Sequence, residues 1–161
     1  VEHTPLAKMR RVPPEFIPLY SNQLELRVIL GPQDDYFTED GVRTFLRSKY
    51  TISVQADRMG YRLEGPQIQH RAKADIISDG IPLGAVQVPG DGLPIILLAD
   101  RQTTGGYTKI ATVISADIPR LAQAKPGDKI AFRQVTEDEA LIALREYERK
   151  VRAVAHRLRR S

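Results

Sequence analysis

Residues 79–114, DGIPLGAVQVPGDGLPIILLADRQTTGGYTKIATVI, carry three apolar segments too short for stable helices. These are residues 85–88, 94–99 and 110–114, all rich in Val and Ile, a composition that suits β-strands. Pro89-Gly90-Asp91-Gly92 separates the first two with the turn chemistry of a hairpin loop. Residues 94–99 are apolar without alternation, which predicts a strand buried on both faces, Leu97 included. Asp100-Arg101-Gln102-Thr103-Thr104-Gly105-Gly106-Tyr107 follows directly. A core strand that opens into polar residues and a double glycine is a common way to build a site.

The rest of the chain supplies more short strands. Residues 1–22 hold Pro5, Pro13, Pro14 and Pro18 without periodicity, as an extended linker does. Residues 24–30 read as a strand closed by Gly31-Pro32. Thr38 can cap a helix over residues 39–49, with Val42, Phe45 and Leu46 on one face and Gly41 weakening it slightly. Residues 50–56, 61–63 and 75–78 read as strands, whereas 67–73 carry no clear pattern. Asp117 is expected to cap a short helix with Pro119 in its first turn. Pro126-Gly127-Asp128 makes a turn before a strand at 129–135. Thr136-Glu137-Asp138-Glu139 is a capping box that opens a helix to about Leu158. Its apolar stripe is Leu141, Leu144, Tyr147, Val151, Val154 and Leu158, and beyond Tyr147 that stripe is free to pack outside the main body or on a partner. About eight strands with two or three helices predict a mostly β fold with helices, and many short strands with turn punctuation point to a barrel.

Composition excludes several classes. With 161 residues, 42% hydrophobic and 27% charged, the chain can bury one domain core. There is no Trp, so that core must rest on Leu, Ile and Val. There is no Cys, hence no disulfide, thiol nucleophile or thiolate metal site, which fits a cytoplasmic setting. No apolar run has transmembrane length and no signal peptide is visible, so no membrane partner is expected. The net charge of +4 gathers near the ends, at residues 8–11 and 149–160. No aromatic platform is interleaved with it, so a basic linker and a helix end explain it better than a nucleic-acid patch. The three histidines are far apart and show no ligand spacing, so no metal site is expected. No Gly-x-Ser-x-Gly elbow supports serine hydrolase chemistry.

Several motifs in order carry a family likeness. They are Leu26-Arg27-Val28 with Gly31-Pro32-Gln33, residues 57–66 (DRMGYRLEGP), residues 84–107 (GAVQVPGDGLPIILLADRQTTGGY) and Pro126-Gly127-Asp128. Together they resemble the carboxyltransferase-like family of allophanate hydrolase subunit 2, the C subunit of 5-oxoprolinase and the KipA regulators. One departure is visible: the family usually has proline after Gly-Gly-Tyr, where this chain has Thr108. The resemblance implies a cyclophilin-like barrel lobe at 23–161, a linker at 1–22 and a separate N-terminal lobe whose motifs are not found here. It implies a part in an ATP-dependent amide hydrolase acting on 5-oxoproline, or in a biotin-dependent carboxyltransferase assembly acting on a urea-like substrate. A KipI-like, subunit 1-like protein would be the partner, and the isolated lobe would have no turnover. The alternative is a KipA-like regulator that binds a KipI-like inhibitor of a sporulation kinase. A cyclophilin-type prolyl isomerase is the least supported, because its Arg, Phe and His constellation is not found. No biotin-carrier or ATP-grasp motif occurs, so ATP or biotin would be handled elsewhere in the assembly and no cofactor is expected on this chain.

The candidate site residues follow. Asp100 and Arg101 are the catalytic candidates, Arg101 or Arg58 to grip a carboxylate or ureido oxygen and Asp100 to orient it or act as a base. Substrate-binding candidates are Arg58, Tyr61, Gln87, Gln102, Thr103, Thr104, Gly105, Gly106 and Tyr107. Gly105-Gly106 would permit positive φ and a backbone nest for an oxyanion, with Tyr107 covering a flat ligand. Gln87 faces opposite to Val86 and Val88 and could meet an amide. Arg62 reads as a solvated strand-edge residue. Ala-Asp-Arg occurs twice, at 56–58 and 99–101, each time followed by Gly-Tyr; the echo is too short to show duplication, but both copies leave an apolar strand and so could lie at the same end of the barrel.

Overall fold

A computed structural model describes residues 11–160, with side chains through residue 158. His3, Pro5 and Lys8-Met9-Arg10, read above as part of a basic linker, lie outside the described residues. Residues 11–22 hold one 3-10 turn, Pro14–Phe16, and no other regular element except the approach to the first strand.

The elements in chain order are β1 (Gln23–Leu30), α1 (Glu39–Arg47), β2 (Lys49–Ile52), β3 (Gly60–Glu64), β4 (Asp75–Gly80), β5 (Ala85–Gln87), β6 (Ile95–Leu97), β7 (Thr104–Tyr107), β8 (Lys109–Val113), α2 (Ile118–Leu121), β9 (Lys129–Gln134) and α3 (Glu137–Arg160). Seven strands close a barrel in the order β1-β8-β5-β6-β3-β2-β9, while β4 and β7 form a separate ribbon. Strand direction cannot alternate all the way round an odd-numbered ring. The parallel exception is β1 with β9, and the other six barrel pairs are antiparallel.

Alternation builds the interior. Leu24, Leu26 and Val28 of β1 point inward, joined by Ile52, Leu63, Val86, Ile96, Ala111 and Ile130 from the other strands. α1 adds Phe45, which stacks on Phe132 with ring centroids 4.3 Å apart. The Thr38 hydroxyl accepts from Gly41 N at 2.9 Å, the cap expected from sequence. Gly41 proves to be more than a weak spot, because a Cβ there would collide with the Gln69 carbonyl. The capping box is also formed. Thr136 N donates to Glu139 Oε2 at 2.8 Å and Glu139 N to Thr136 Oγ1 at 3.2 Å.

Three local expectations change. Residues 94–99 are not buried on both faces: Ile96 is sealed in the core, but Ile95 and Leu97 are half-buried on the outer side. A barrel wall has one interior, so alternation holds even where the sequence is uniformly apolar. The strand expected at 50–56 stops at Ile52, and Ser53 and Ala56 close a turn. Asp117 does not cap α2 with its side chain. It is buried and accepts from Arg27 N at 2.8 Å, Arg27 Nε at 3.0 Å and Arg27 Nη2 at 2.6 Å.

α3 leaves the barrel with little contact. Ala143 is buried against Ile114, Ala116 and Val135, but Leu141 and Val151 of the expected stripe are 44% and 50% exposed. No helix among the described residues is long and apolar enough to cross a membrane.

Ile96→Ala is expected to cost about 2–5 kcal/mol, as a core truncation does. Leu97→Ala should cost clearly less, because its side chain is only half-buried. Urea denaturation midpoints of the two variants check the order, and equal losses would show that the outer wall packs as tightly as the interior.

Candidate functional site

The outer face of the barrel carries a row of paired positions running across four strands. Arg62 of β3 sits opposite Ile95 of β6, Ile95 opposite Gln87 of β5, and Gln87 opposite Lys109 of β8. Directly opposed residues share a face. The β4–β7 ribbon crosses this face, with Asp79 paired to Gly105. Between wall and ribbon lies a cavity of about 300 Å³. Arg62, Ile95, Leu97 and Gln87 form its floor. Gly105, Gly106 and Tyr107 of β7 form its roof, with Gln102 and Ile81 beside them. Gln55, Asp57, Met59 and Gly60 close the end next to β3.

Gly105 and Gly106 lie within a strand, and neither has positive φ. They therefore do not form the anion nest expected from sequence. Their value is closeness. A Cβ on Gly105 would sit 2.7 Å from Ile81 Cδ1 and 3.1 Å from Gln87 Nε2, so glycine lets the ribbon lie this near the wall without pushing those side-chain ends aside. Thr108, where the resembled family has proline, is fully buried. Its N–H donates to Ala74 O at 2.9 Å, a bond that proline cannot make, and its hydroxyl lies 3.1 Å from His70 Nε2.

Lys109 anchors the ribbon at the other end of the row. Its side chain is 1% exposed, and its Nζ lies 3.1 Å from Asp79 Oδ2. This is an ion pair by distance without hydrogen-bond geometry, so the ammonium has no directed acceptor among the described residues. Lys109 nevertheless holds the Asp79 carboxyl below its ordinary range, with the N–H of Gly80 as the next cause. Gln33 braces both partners: its Oε1 accepts from Lys109 N at 3.1 Å, and its Nε2 lies 3.5 Å from Asp79 Oδ2.

Five of the candidates read from sequence line the cavity: Gln87, Gln102, Gly105, Gly106 and Tyr107. The others do not. Arg58 and Asp100 pair with each other, Nε to Oδ2 at 2.9 Å and Nη2 to Oδ1 at 3.2 Å, on an exposed rim. The backbone N–H of Asp100 also donates to Arg58 O, so the two Ala-Asp-Arg copies do meet at one end. Arg101 donates from Nε to Ile81 O at 2.9 Å and from Nη1 to Leu98 O at 3.3 Å, which employs it in holding the chain between β6 and β7. Thr103 O accepts from Ile81 N, and Thr104 pairs with Gly80 in the ribbon. Tyr61 turns to the opposite face from Arg62, packs against the core and donates to Ala124 O at 3.0 Å. Burial, and then the charge of Asp128, raises its pKa.

Sequence reasoning takes Arg62 for a solvated residue and passes over Asp57 and Gln55. The alternation of β3, which puts Gly60 and Arg62 on one face, is the signal that could have found Arg62. The Asp57 carboxylate is partly employed, since Oδ1 accepts from Met59 N at 2.8 Å and Gly60 N at 3.1 Å. The lining thus offers one guanidinium, one carboxylate and three primary amides, Gln55, Gln87 and Gln102, beside an apolar patch of Met59, Ile81, Ile95 and Leu97. Such a set suits a small, flat, polar ligand with amide-like groups. No group of three or more potential metal ligands occurs among the described residues.

The architecture is a closed odd-stranded barrel with an amide-lined cavity under an external ribbon. The chain belongs to the family described as carboxyltransferase domain, subdomain A and B, whose pattern matches residues 2–134. It is 40% identical over 140 residues to the C subunit of 5-oxoprolinase from Escherichia coli, covering 87% of this chain and 44% of that protein. It is 31% identical over 148 residues to a putative urea carboxylase of Emericella nidulans, covering 86% of this chain and 12% of that protein. The crystal structure of Kluyveromyces lactis urea carboxylase superposes with a TM-score of 0.80 at 25% identity, over 89% of this chain and 14% of that one. The chain therefore spans less than half the length of each of these relatives.

Two outcomes are expected. Because the folded carboxyl is depressed, the Asp79–Lys109 pair contributes above the ordinary Asp pKa of 3.8 and is lost as pH falls through the lower folded value. An NMR titration should find Asp79 below the ordinary range and shifted up toward it in Lys109→Met, with the Gly80 N–H still lowering it. Gly105→Ala should shift the Gln87 side-chain amide resonances while costing little stability, because the clashing Ile81 Cδ1 is the movable end of a side chain. Unmoved Gln87 resonances would show that roof and floor are not in contact.

Proposed function

We propose that this chain is the C-terminal lobe of a protein like the 5-oxoprolinase C subunit and supplies part of the substrate site of an ATP-dependent amide hydrolase. The supporting observation is the cavity itself: three primary amides and the Arg62 guanidinium around a small apolar patch, in a chain 40% identical to that relative. The amides match the lactam of 5-oxoproline, and Arg62 its carboxylate. Arg62 has no carboxylate within ion-pair distance among the described residues, so its charge is available. The same cavity suits the urea-like substrate of a biotin-dependent carboxyltransferase, which makes that assembly the near neighbour of this reading.

The lining does not fit a triphosphate. Arg62 is its one cation, and Gly105-Gly106 form a strand instead of a phosphate cradle. ATP or biotin is accordingly assigned to other parts of the assembly, with a KipI-like subunit and the chain's own N-terminal lobe completing the site.

The test is ATP-dependent release of glutamate from 5-oxoproline by the full-length protein with its partner subunit. Turnover by the assembly and none by the isolated lobe is expected. Consumption of neither 5-oxoproline nor urea by the assembly would refute the proposal. Arg62→Ala in the assembly should raise KM for 5-oxoproline roughly 10- to 100-fold, the loss of one charge-assisted hydrogen bond of about 1.5–3 kcal/mol.

A further inference from the structure

Gln87 is 5% exposed, and its side-chain nitrogen is buried without a hydrogen-bond partner among the described residues. A primary amide left in this state is costly, and a folded chain normally satisfies it or replaces it with an apolar residue. Val86 and Val88 on either side belong to the barrel interior, so the alternation of β5 sends Gln87 to the cavity floor. Its neighbours along the row supply no acceptor: Ile95 is apolar, and Lys109 is a cation facing Asp79. The roof supplies none either: Gly105 above it brings no side chain, and no backbone carbonyl among the described residues accepts from the Gln87 nitrogen.

A primary amide presents N–H and C=O side by side in one plane. Its complement is a second amide whose N–H and C=O also point the same way. A lactam has that edge by ring geometry, and urea has it by constitution. A trans secondary amide does not, because its N–H and C=O point in opposite directions. We propose that Gln87 is the residue that reads this syn amide edge, pairing with it through two hydrogen bonds in a ring. The inference rests on the proposed amide-ligand function of the cavity and deepens it. It gives one reason why one barrel serves relatives named for 5-oxoproline and for urea, whose shared feature is that edge.

The experiment measures binding by ligand-observed NMR to the full-length protein assembled with its partner subunit. The probes are 5-oxoproline, urea, and N-acetylglycine, which carries a carboxylate and a trans amide. The wild type should bind 5-oxoproline at least 10-fold more tightly than N-acetylglycine. Gln87→Met, close in volume, should lose that preference and weaken 5-oxoproline and urea alike, by about 10-fold or more. Equal wild-type affinity for 5-oxoproline and N-acetylglycine overturns the proposal without any variant. Unchanged 5-oxoproline affinity in Gln87→Met overturns it while leaving the amide function standing. Wild-type protein that binds neither 5-oxoproline nor urea overturns both.

Discussion

Six residues of β1 run parallel to six of β9, from Gln23 beside Lys129 to Val28 beside Gln134. That pairing joins segments about a hundred residues apart in the chain and leaves no open sheet edge in the barrel. Arg27 sits within the paired stretch and ties it to the turn before α2 through both oxygens of buried Asp117. The backbone strengthens the same junction, since Ile114 N donates to Arg27 O. A buried carboxylate is tolerable because an N–H and a guanidinium surround it. With the ring closed, the inner and outer faces of every strand become distinct, and the cavity is a consequence of the outer one.

The wall uses a small device to make the side of the cavity. Strands of three to five residues, β3, β6, β5 and β8, lie side by side, and one residue from each supplies the row Arg62, Ile95, Gln87 and Lys109. An exposed sheet face carrying such residues would be solvated and unselective. The β4–β7 ribbon covers it, anchored by Asp79 on Lys109 and by Ile81, whose N–H reaches Thr103 O and whose carbonyl takes Arg101. Burial beneath the ribbon turns an ordinary glutamine into an amide with an unmet hydrogen-bonding requirement.

Charge and chemistry are separated along the rim. Arg58 and Asp100 neutralise each other on the exposed edge, where such a pair contributes little to stability. Arg101 is spent on backbone carbonyls. Of the three arginines, Arg62 is left without an ion-pair partner among the described residues, and it lines the same cavity as Gln87, two strands away.

Element types were legible in the chain because they rest on local chemistry. Short Val- and Ile-rich runs, the Pro-Gly loop between β5 and β6, the Thr38 cap and the Thr136–Glu139 box all act within a few residues, and each is present as read. The barrel class and the gathering of Gln87, Gln102 and 105–107 around one cavity were legible for the same reason, with motif order adding the family. Which polar residues face one another depends instead on how the ring closes. Nothing near Asp117 in the chain announces Arg27, ninety positions away, and nothing near Lys109 announces Asp79. The double glycine reads as a turn because glycine permits one. It is a strand in which Gly105 lies so close to Ile81 and Gln87 that a Cβ would push their side-chain ends aside. Arg62 reads as solvated because a single strand has two equivalent faces, and only closure of the ring gives one of them a cavity.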